Sequence, residues 1–235
     1  TQEYLETLFA VGNGQIGVRA GHPLKVNQFY PGNPGVFVNG FFDSEPIQYG
    51  EWAYGYAKNH QTICKLPTLR GVVLRIGQEK SSDSEWQTKR TVMNIDLSTG
   101  VLTETYHITT PSNKQFDLHM SSFASMTRRE LYACRYTIKN CDFPDAVELM
   151  HTLDQSFYTI KTDDPRVANK NHQLEKESIS DYHIWTAPQS NKRIALRLDL
   201  KPHQLVEGAS LEAIFQLALL DDNQTAPFQN QCVAY

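Results

Sequence analysis

The feature that most constrains this chain is a strict two-residue alternation running from Leu102 to Ile138. Leu102, Tyr106 and Ile108 share one face of an extended segment with Glu104, while Thr103, Thr105 and His107 take the other. Phe116, Leu118 and Met120 alternate with Asp117, His119 and Ser121. Tyr132, Cys134, Tyr136 and Ile138 alternate with Ala133, Arg135 and Thr137. Successive side chains of a strand point to opposite faces, so this pattern predicts three long, half-buried strands. Ser98-Thr99-Gly100 and Pro111-Ser112-Asn113-Lys114 are turn sequences, the first with glycine where a left-handed residue is needed. The segment therefore reads as an antiparallel meander.

Other strand candidates are VFVNGFF (36–42), RGVVLRIG (70–77), DAVELMHTL (145–153), DYHIWTAP (181–188) and RIALRLDL (193–200). SLEAIFQLALL (210–220) also reads as a strand, although its length admits a helix. Glu3 to Leu8 suits a single helical turn, and Lys161 to Ser178 reads as a polar surface excursion. No linker or internal repeat divides the chain. Residues 1–235 are thus expected to form one mainly all-β domain, a large antiparallel sandwich with a few short helices.

Composition narrows the partners. Hydrophobic residues make up 40% and charged residues 20%, an ordinary globular balance. A net charge of −4 without a Lys/Arg run gives no footprint for nucleic acid. No apolar run has the length of a membrane span, and no signal peptide opens the chain, so a cytoplasmic protein is expected. Thr1 rather than Met stands first, as in a processed or partial chain. The four cysteines lack metal-ligand or C-x-x-C spacing and read as reduced thiols, with Cys134 buried in its strand. No clustered His/Asp spacing suggests a metal, and none is expected.

FAVGNGQIGVRAG (9–21) raises a sharper question, because Gly12, Gly14 and Gly17 have dinucleotide-loop spacing. Such a loop must open a helix whose N-terminus holds the pyrophosphate. Here Gly21 and Pro23 would break that helix, and no acid appears until Asp43 to hold a ribose. Arg19 stands where the kinase glycine loop needs valine, and the Walker lysine pattern is missing. The glycines instead mark a turn between two short strands.

As one phrase, ETLFAVGNGQIGVRAGH resembles the opening of glycoside hydrolase family 65, the maltose, trehalose and kojibiose phosphorylases. The matching residues are Glu6, Leu8, Phe9, Gly12, Asn13, Gly14, Gly17, Arg19 and Gly21. PGVFVNGFFD (34–43), KLPTLRGVVLRIG (65–77), the set Asp96, Leu97, Gly100, Val101 and Leu102, and SSFASMTRRELYACRYTI (121–138) are similar to later family elements, in the same order. Ala20, His22-Pro23 and the stretch Gln48–His60 depart from the pattern. The resemblance implies an N-terminal super-sandwich similar to galactose mutarotase, followed in the parent enzyme by a helical linker and an (α/α)6 barrel. That barrel would carry the catalytic acid and the phosphate site. The chain would then be a non-catalytic domain that shapes the active-site entrance and a domain or dimer interface. Its partners would be its own C-terminal catalytic domain, a disaccharide reached through that domain, and a second copy in a homodimer. No cofactor is implied, and inorganic phosphate would be a co-substrate of the parent. The alternative is a free-standing mutarotase-like enzyme or a carbohydrate-binding module.

Candidate site residues follow from these two readings. No catalytic residue is expected in the chain itself. Asn13, Gln15, Phe41, Asp43 and Trp52 are expected near a domain interface or a sugar. Trp52, Tyr54 and Tyr56 form a glycine-punctuated aromatic loop, suited to stacking on a sugar or burying against a neighbouring domain. Trp86 and Trp185 read as core or sheet-face residues. Asp163-Asp164 and Asp221-Asp222 read as solvated loop acids, and Glu104, Asp117 and Glu148 as outward strand residues. His107 and His119 fit a polar outward face, or, with a nearby acid, the acid–base pair that mutarotation needs.

Overall fold

The computed structural model of the chain describes residues 1–25, 32–153, 174–179, 182–205 and 208–220. One short helix opens it, α1 (Gln2–Leu8), capped by the Thr1 hydroxyl, which accepts from the Tyr4 amide. Then come β1 (Val11–Gly12), β2 (Ile16–Val18), β3 (Val36–Val38), β4 (Phe42–Pro46), β5 (Asn59–Ile63), β6 (Val72–Ile76) and β7 (Glu79–Lys80). The long strands are β8 (Gln87–Asp96), β9 (Val101–Thr109), β10 (Gln115–Ala124) and β11 (Leu131–Lys139). After β12 (Val147–His151) follow β13 (Glu175–Ile179), β14 (Tyr182–Thr186), β15 (Arg193–Leu205) and β16 (Gly208–Leu220).

The expected meander is present, with β8 added as its edge. Gly100 takes the left-handed backbone (φ +71°), and its amide donates to the Asp96 carbonyl at 2.7 Å. At the second turn Asn113 takes that conformation instead (φ +64°). The large sheet has the order β13-β14-β15-β16-β11-β10-β9-β8 and every pairing in it is antiparallel. SLEAIFQLALL is strand β16, and its apolar-polar alternation decides the matter over its length. VFVNGFF is two strands rather than one. The chain turns at Gly40 (φ +92°), so β3 joins β1-β2-β3 while β4 pairs with β5. The end of the polar excursion, from Glu175, forms β13; residues 161–173 lie outside the described residues.

Two sheets, β1-β2-β3 and β12-β6-β7, pack on the inner face of the large sheet, reaching β10 and β16. One continuous core fills the gap, built from Leu102, Tyr106, Ile108, Phe116, Leu118, Tyr136, Ile138 and Phe215 with Leu74 and Ile76 opposite. Phe116 meets Trp86 and Phe143 edge-on at 6.1 Å each. Each such apolar side chain contributes about 1.5–3 kcal/mol by leaving water. A register shift between Arg90 and Val92 marks a bulge in β8. It changes the inward parity from Thr88 and Arg90 to Met93 and Ile95, and so keeps Arg90 turned toward the interior.

The pleat makes a direct prediction. Leu118→Ala should cost about 2–5 kcal/mol of unfolding free energy in urea titrations, whereas His119→Ala, one residue on, should cost under about 1 kcal/mol. Equal losses would contradict the assigned faces.

Candidate functional site

Arg70 stands just before β6, and its side chain crosses the gap between the layers almost fully buried. Its Nη2 donates to the Glu104 carboxylate on β9, its Nη1 to Ser122 Oγ on β10 at 3.2 Å, and its Nε to the Gly21 carbonyl at 3.2 Å. The other Glu104 oxygen accepts from the Tyr106 hydroxyl at 2.7 Å and lies 3.7 Å from Arg90. Glu104 is therefore an inward residue, contrary to the outward position expected for it. Its alternation partners Leu102, Tyr106 and Ile108 drag it inside, and two arginines compensate its charge. Burial disfavours the Arg70 charge, but Glu104 outweighs burial and holds the guanidinium well above its usual pKa. His22 lies 4.6 Å from the Tyr106 ring, and burial, then Arg90, Lys25 and Arg70, push it down to about 3. Arg70 and Glu104 are closed to solvent, so the pair holds the layers together rather than meeting a ligand.

The GNG segment is a hairpin, with Val11 opposite Val18 and Gly12 opposite Gly17. Asn13 is buried in it. Its Oδ1 accepts from the Gln15 and Ile16 amides at 3.0 and 2.9 Å. Its Nδ2 donates to the Ser125 and Arg129 carbonyls at 2.7 and 3.0 Å, in the turn between β10 and β11. Gln15 is half-buried beside it, and Phe41 lies fully inside the core. Asp43, also buried, accepts through Oδ1 from the Gln189 and Ser190 amides at 3.1 and 2.8 Å, tying β4 to the β14–β15 turn. That anchor supports the aromatic hairpin tip. Trp52 is 64% and Tyr54 98% exposed, and the Tyr49 and Tyr56 rings meet at 4.9 Å. Of the five expected residues, the exposure a contact needs is thus greatest at Trp52. Trp86 and Trp185 are buried, and the Asp163-Asp164 and Asp221-Asp222 pairs lie outside the described residues.

The outer face of the large sheet carries accessible chemistry. His107 Nδ1 lies 2.9 Å from Asp117 Oδ1, and Asn140 donates to Asp117 Oδ2 at 2.6 Å. The Asn140 amide, then His107, hold the Asp117 carboxyl below its usual range. A carboxylate against one imidazole nitrogen is the layout that orients a general base. His119 shares this face, 3.1 Å from Thr105 Oγ1. Glu148 is outward as expected, paired with Arg75 at 2.5–2.9 Å. Near the β10–β11 turn the same outer face holds a groove of about 450 Å³ whose lining includes Phe123, Arg135 and Glu212. Arg135 donates Nε to Glu212 Oε1 at 2.9 Å, and its Nη2 lies 2.7 Å from the same oxygen in an ion pair. Alternation in the sequence places Arg135 opposite the apolar face of its strand, but only the β11–β16 pairing brings it to Glu212. Cys64 and Cys134 are free, and burial pushes both thiols up to about 12, so neither is a nucleophile.

The fold is that of a large antiparallel β-sandwich domain. The chain matches the family model "Glycosyl hydrolase family 65, N-terminal domain" over residues 1–219, and it belongs to that family. An uncharacterized glycosyl hydrolase of Mycobacterium tuberculosis is 29% identical over 138 residues, 57% of this chain and 17% of that protein. An α,α-trehalose phosphorylase of Geobacillus stearothermophilus is 25% identical over 172 residues, 72% of this chain and 22% of that protein. A solved structure titled "Putative kojibiose phosphorylase from human microbiome" shares the fold with a TM-score of 0.70 at 14% identity. That match covers 95% of this chain and 31% of the other. The chain thus spans between 16% and 26% of the length of the curated relatives it matches.

The buried ion pair and two buried histidines, His22 and His151, each set an expectation. Glu104→Ala should cost about 3–5 kcal/mol in chemical denaturation, because it strands Arg70 in the interior, while the double variant Arg70→Met/Glu104→Leu should recover most of the loss. A single-variant cost below about 1 kcal/mol would contradict this role. The second concerns pH. His22, and His151 with a pKa pushed by burial to about 4, bind protons more weakly folded than at their ordinary value of 6.5. Between pH 6.5 and 4 the unfolded chain holds protons that the folded chain lacks, so stability should fall as pH falls through that window. His22→Asn, which keeps an acceptor for the Leu24 amide now 3.2 Å from His22 Nδ1, should flatten the slope in denaturation curves taken across it.

Proposed function

We propose that this chain is the non-catalytic N-terminal domain of a phosphorylase-like enzyme acting on α-linked glucose disaccharides, with residues 1–235 as one domain. The observation that carries this reading is the family match over residues 1–219 in a chain that spans only a fraction of its relatives, two of which are trehalose phosphorylases. In that enzyme a C-terminal domain performs the reaction with inorganic phosphate as co-substrate, in the cytoplasm and in a homodimer. The tip carrying Trp52 and Tyr54 leans on the catalytic domain or its partner copy and narrows the entrance to the active site. Its exposed aromatics on an anchored hairpin support that role. Asn13 and Gln15 act indirectly, by fixing the hairpin and turn beside that interface. Phe41 and Asp43 support the base of the tip.

A second reading draws on the His107–Asp117 pair with His119 alongside: an aldose mutarotase, with His107 as the base at the anomeric hydroxyl. Polarimetry of glucose and galactose, with His107→Ala as control, separates the two.

The first reading expects glucose 1-phosphate from trehalose, kojibiose or maltose with phosphate when the full-length enzyme is assayed, and none from this chain alone. Trp52→Ala in the full-length enzyme should raise KM by about tenfold with kcat changed less. Phosphorolysis by the isolated chain would overturn the reading.

A further inference from the structure

We propose that the groove on the outer face of the large sheet is a binding subsite for a neutral glucoside, with Phe123 as its stacking platform and the Arg135–Glu212 pair as its hydrogen-bonding edge. The class of ligand rests on the function proposed above; the site itself rests on the register of four strands.

Two adjacent rows of that face differ in chemistry. Phe123 on β10 lies opposite Ala133 on β11, and Ala133 lies opposite Ile214 on β16, which makes an apolar row. Two residues along, Ser121 lies opposite Arg135 and Arg135 opposite Glu212, which makes a polar row. The rows are separated by about 7 Å, two residues of strand rise. Ala133 is the smallest member of its row, so the surface dips between the Phe123 ring and Ile214, where the groove of about 450 Å³ sits. That volume falls within the range of small-molecule sites. A pyranose is amphipathic in the same sense, with an apolar C–H face and a rim of hydroxyls. Its face can lie on the 41% exposed Phe123 ring while its rim meets Ser121, Arg135 and Glu212.

The charges select a neutral ligand. Arg135 donates Nε to Glu212 Oε1 and keeps other N–H groups toward solvent, being 63% exposed at the side chain, while Glu212 is 31% exposed. On the next strand Lys201 faces Glu212 and Asp199 faces Ile214, one charge of each sign. Arg128, which also lines the groove, is paired with Glu130 at 3.0 Å, so the site offers both donors and acceptors without the excess of cations that a phosphate would need.

The test is calorimetric titration, paired with saturation-transfer NMR, of this chain with maltose, kojibiose, trehalose and glucose 1-phosphate. At least one neutral disaccharide should bind saturably with a Kd of about 1 mM. Phe123→Ala, which removes the platform, and Ala133→Leu, which fills the dip, should each weaken binding at least about tenfold, and Tyr4→Ala on the helix should not. Arg135→Gln, at an exposed position that leaves the core untouched, should weaken it as well. Absence of saturable binding, binding retained in all three groove variants, or tighter binding of glucose 1-phosphate than of every neutral disaccharide would overturn the proposal. Phosphorolysis by the full-length enzyme with an empty groove would overturn only this inference. A glucoside-binding groove in a full-length protein without phosphorolysis would overturn only the function proposed above.

Discussion

Everything in this fold is arranged around a charge that has left water. Arg70 belongs to the layer of small sheets and Glu104 to the large sheet, and both are buried to within 1%. A hydrophobic pair could fill the same space with equal or better stability, so net free energy is a weak reason for its presence. Its geometric demand is stronger. Arg70 uses three nitrogens on three partners, from the Gly21 carbonyl, β9 and β10. A slip of β9 by one residue would turn Glu104 outward and leave Arg70 unpaired in the interior. Hydrophobic contacts tolerate small slides and this contact does not. The pair therefore acts as a register pin between layers, and the β8 bulge that keeps Arg90 turned inward serves the same carboxylate.

Local features of the fold were legible in the sequence because they repeat at the strand period or demand a special backbone. Leu118 and His119 sort to opposite faces by parity alone, and Gly100 declares its turn by needing positive φ. What was not legible depends on pairings with no local signal. Glu104 carried its own clue, since it shares parity with Leu102 and Tyr106, yet an acid is ordinarily assigned outward until a partner is found. That partner stands 34 residues earlier, in a loop. The neighbour relation between β11 and β16, some 80 residues apart, is equally silent, and without it Arg135 and Glu212 are merely two surface charges. Phe41 and Trp52 illustrate the same limit for the expected contact residues. Both are aromatics near turns, and only the three-dimensional path of β4 and β5 buries one and exposes the other.

The glycine-rich phrase near the N-terminus has a mechanical explanation. Glu6 is fully buried and accepts from the Asn33 amide at 2.7 Å, and Arg19 donates to the Asn33 carbonyl at 2.6 Å. Asn13 saturates all four of its bonding directions on backbone groups, two within its own hairpin and two in the β10–β11 turn. A side chain so used has nothing left for a ligand, but it decides where that turn sits. Gly12 belongs to the same logic, since a Cβ there would come within 3.0 Å of the Ile16 carbonyl. The motif thus fixes geometry where a phosphate cradle would have offered open amides.

That turn is also one end of the outer groove, since Ser125, Thr127 and Arg128 contribute to its lining. The two halves of the molecule are coupled by this fact. Asn13 holds the Ser125 and Arg129 carbonyls from behind, and the strands that leave the turn carry Phe123 and Ala133 at their ends. The inner face of the sheet is closed by core packing and by the arginine–glutamate pin, so substitution there is penalised by several kcal/mol. The outer face pays no such penalty, and changes at exposed positions usually stay within about 0.5 kcal/mol. Recognition can therefore be retuned at Phe123, Arg135 and Glu212 while the backbone beneath them stays fixed. A sheet with one locked face and one permissive face lets surface chemistry vary while the scaffold is kept.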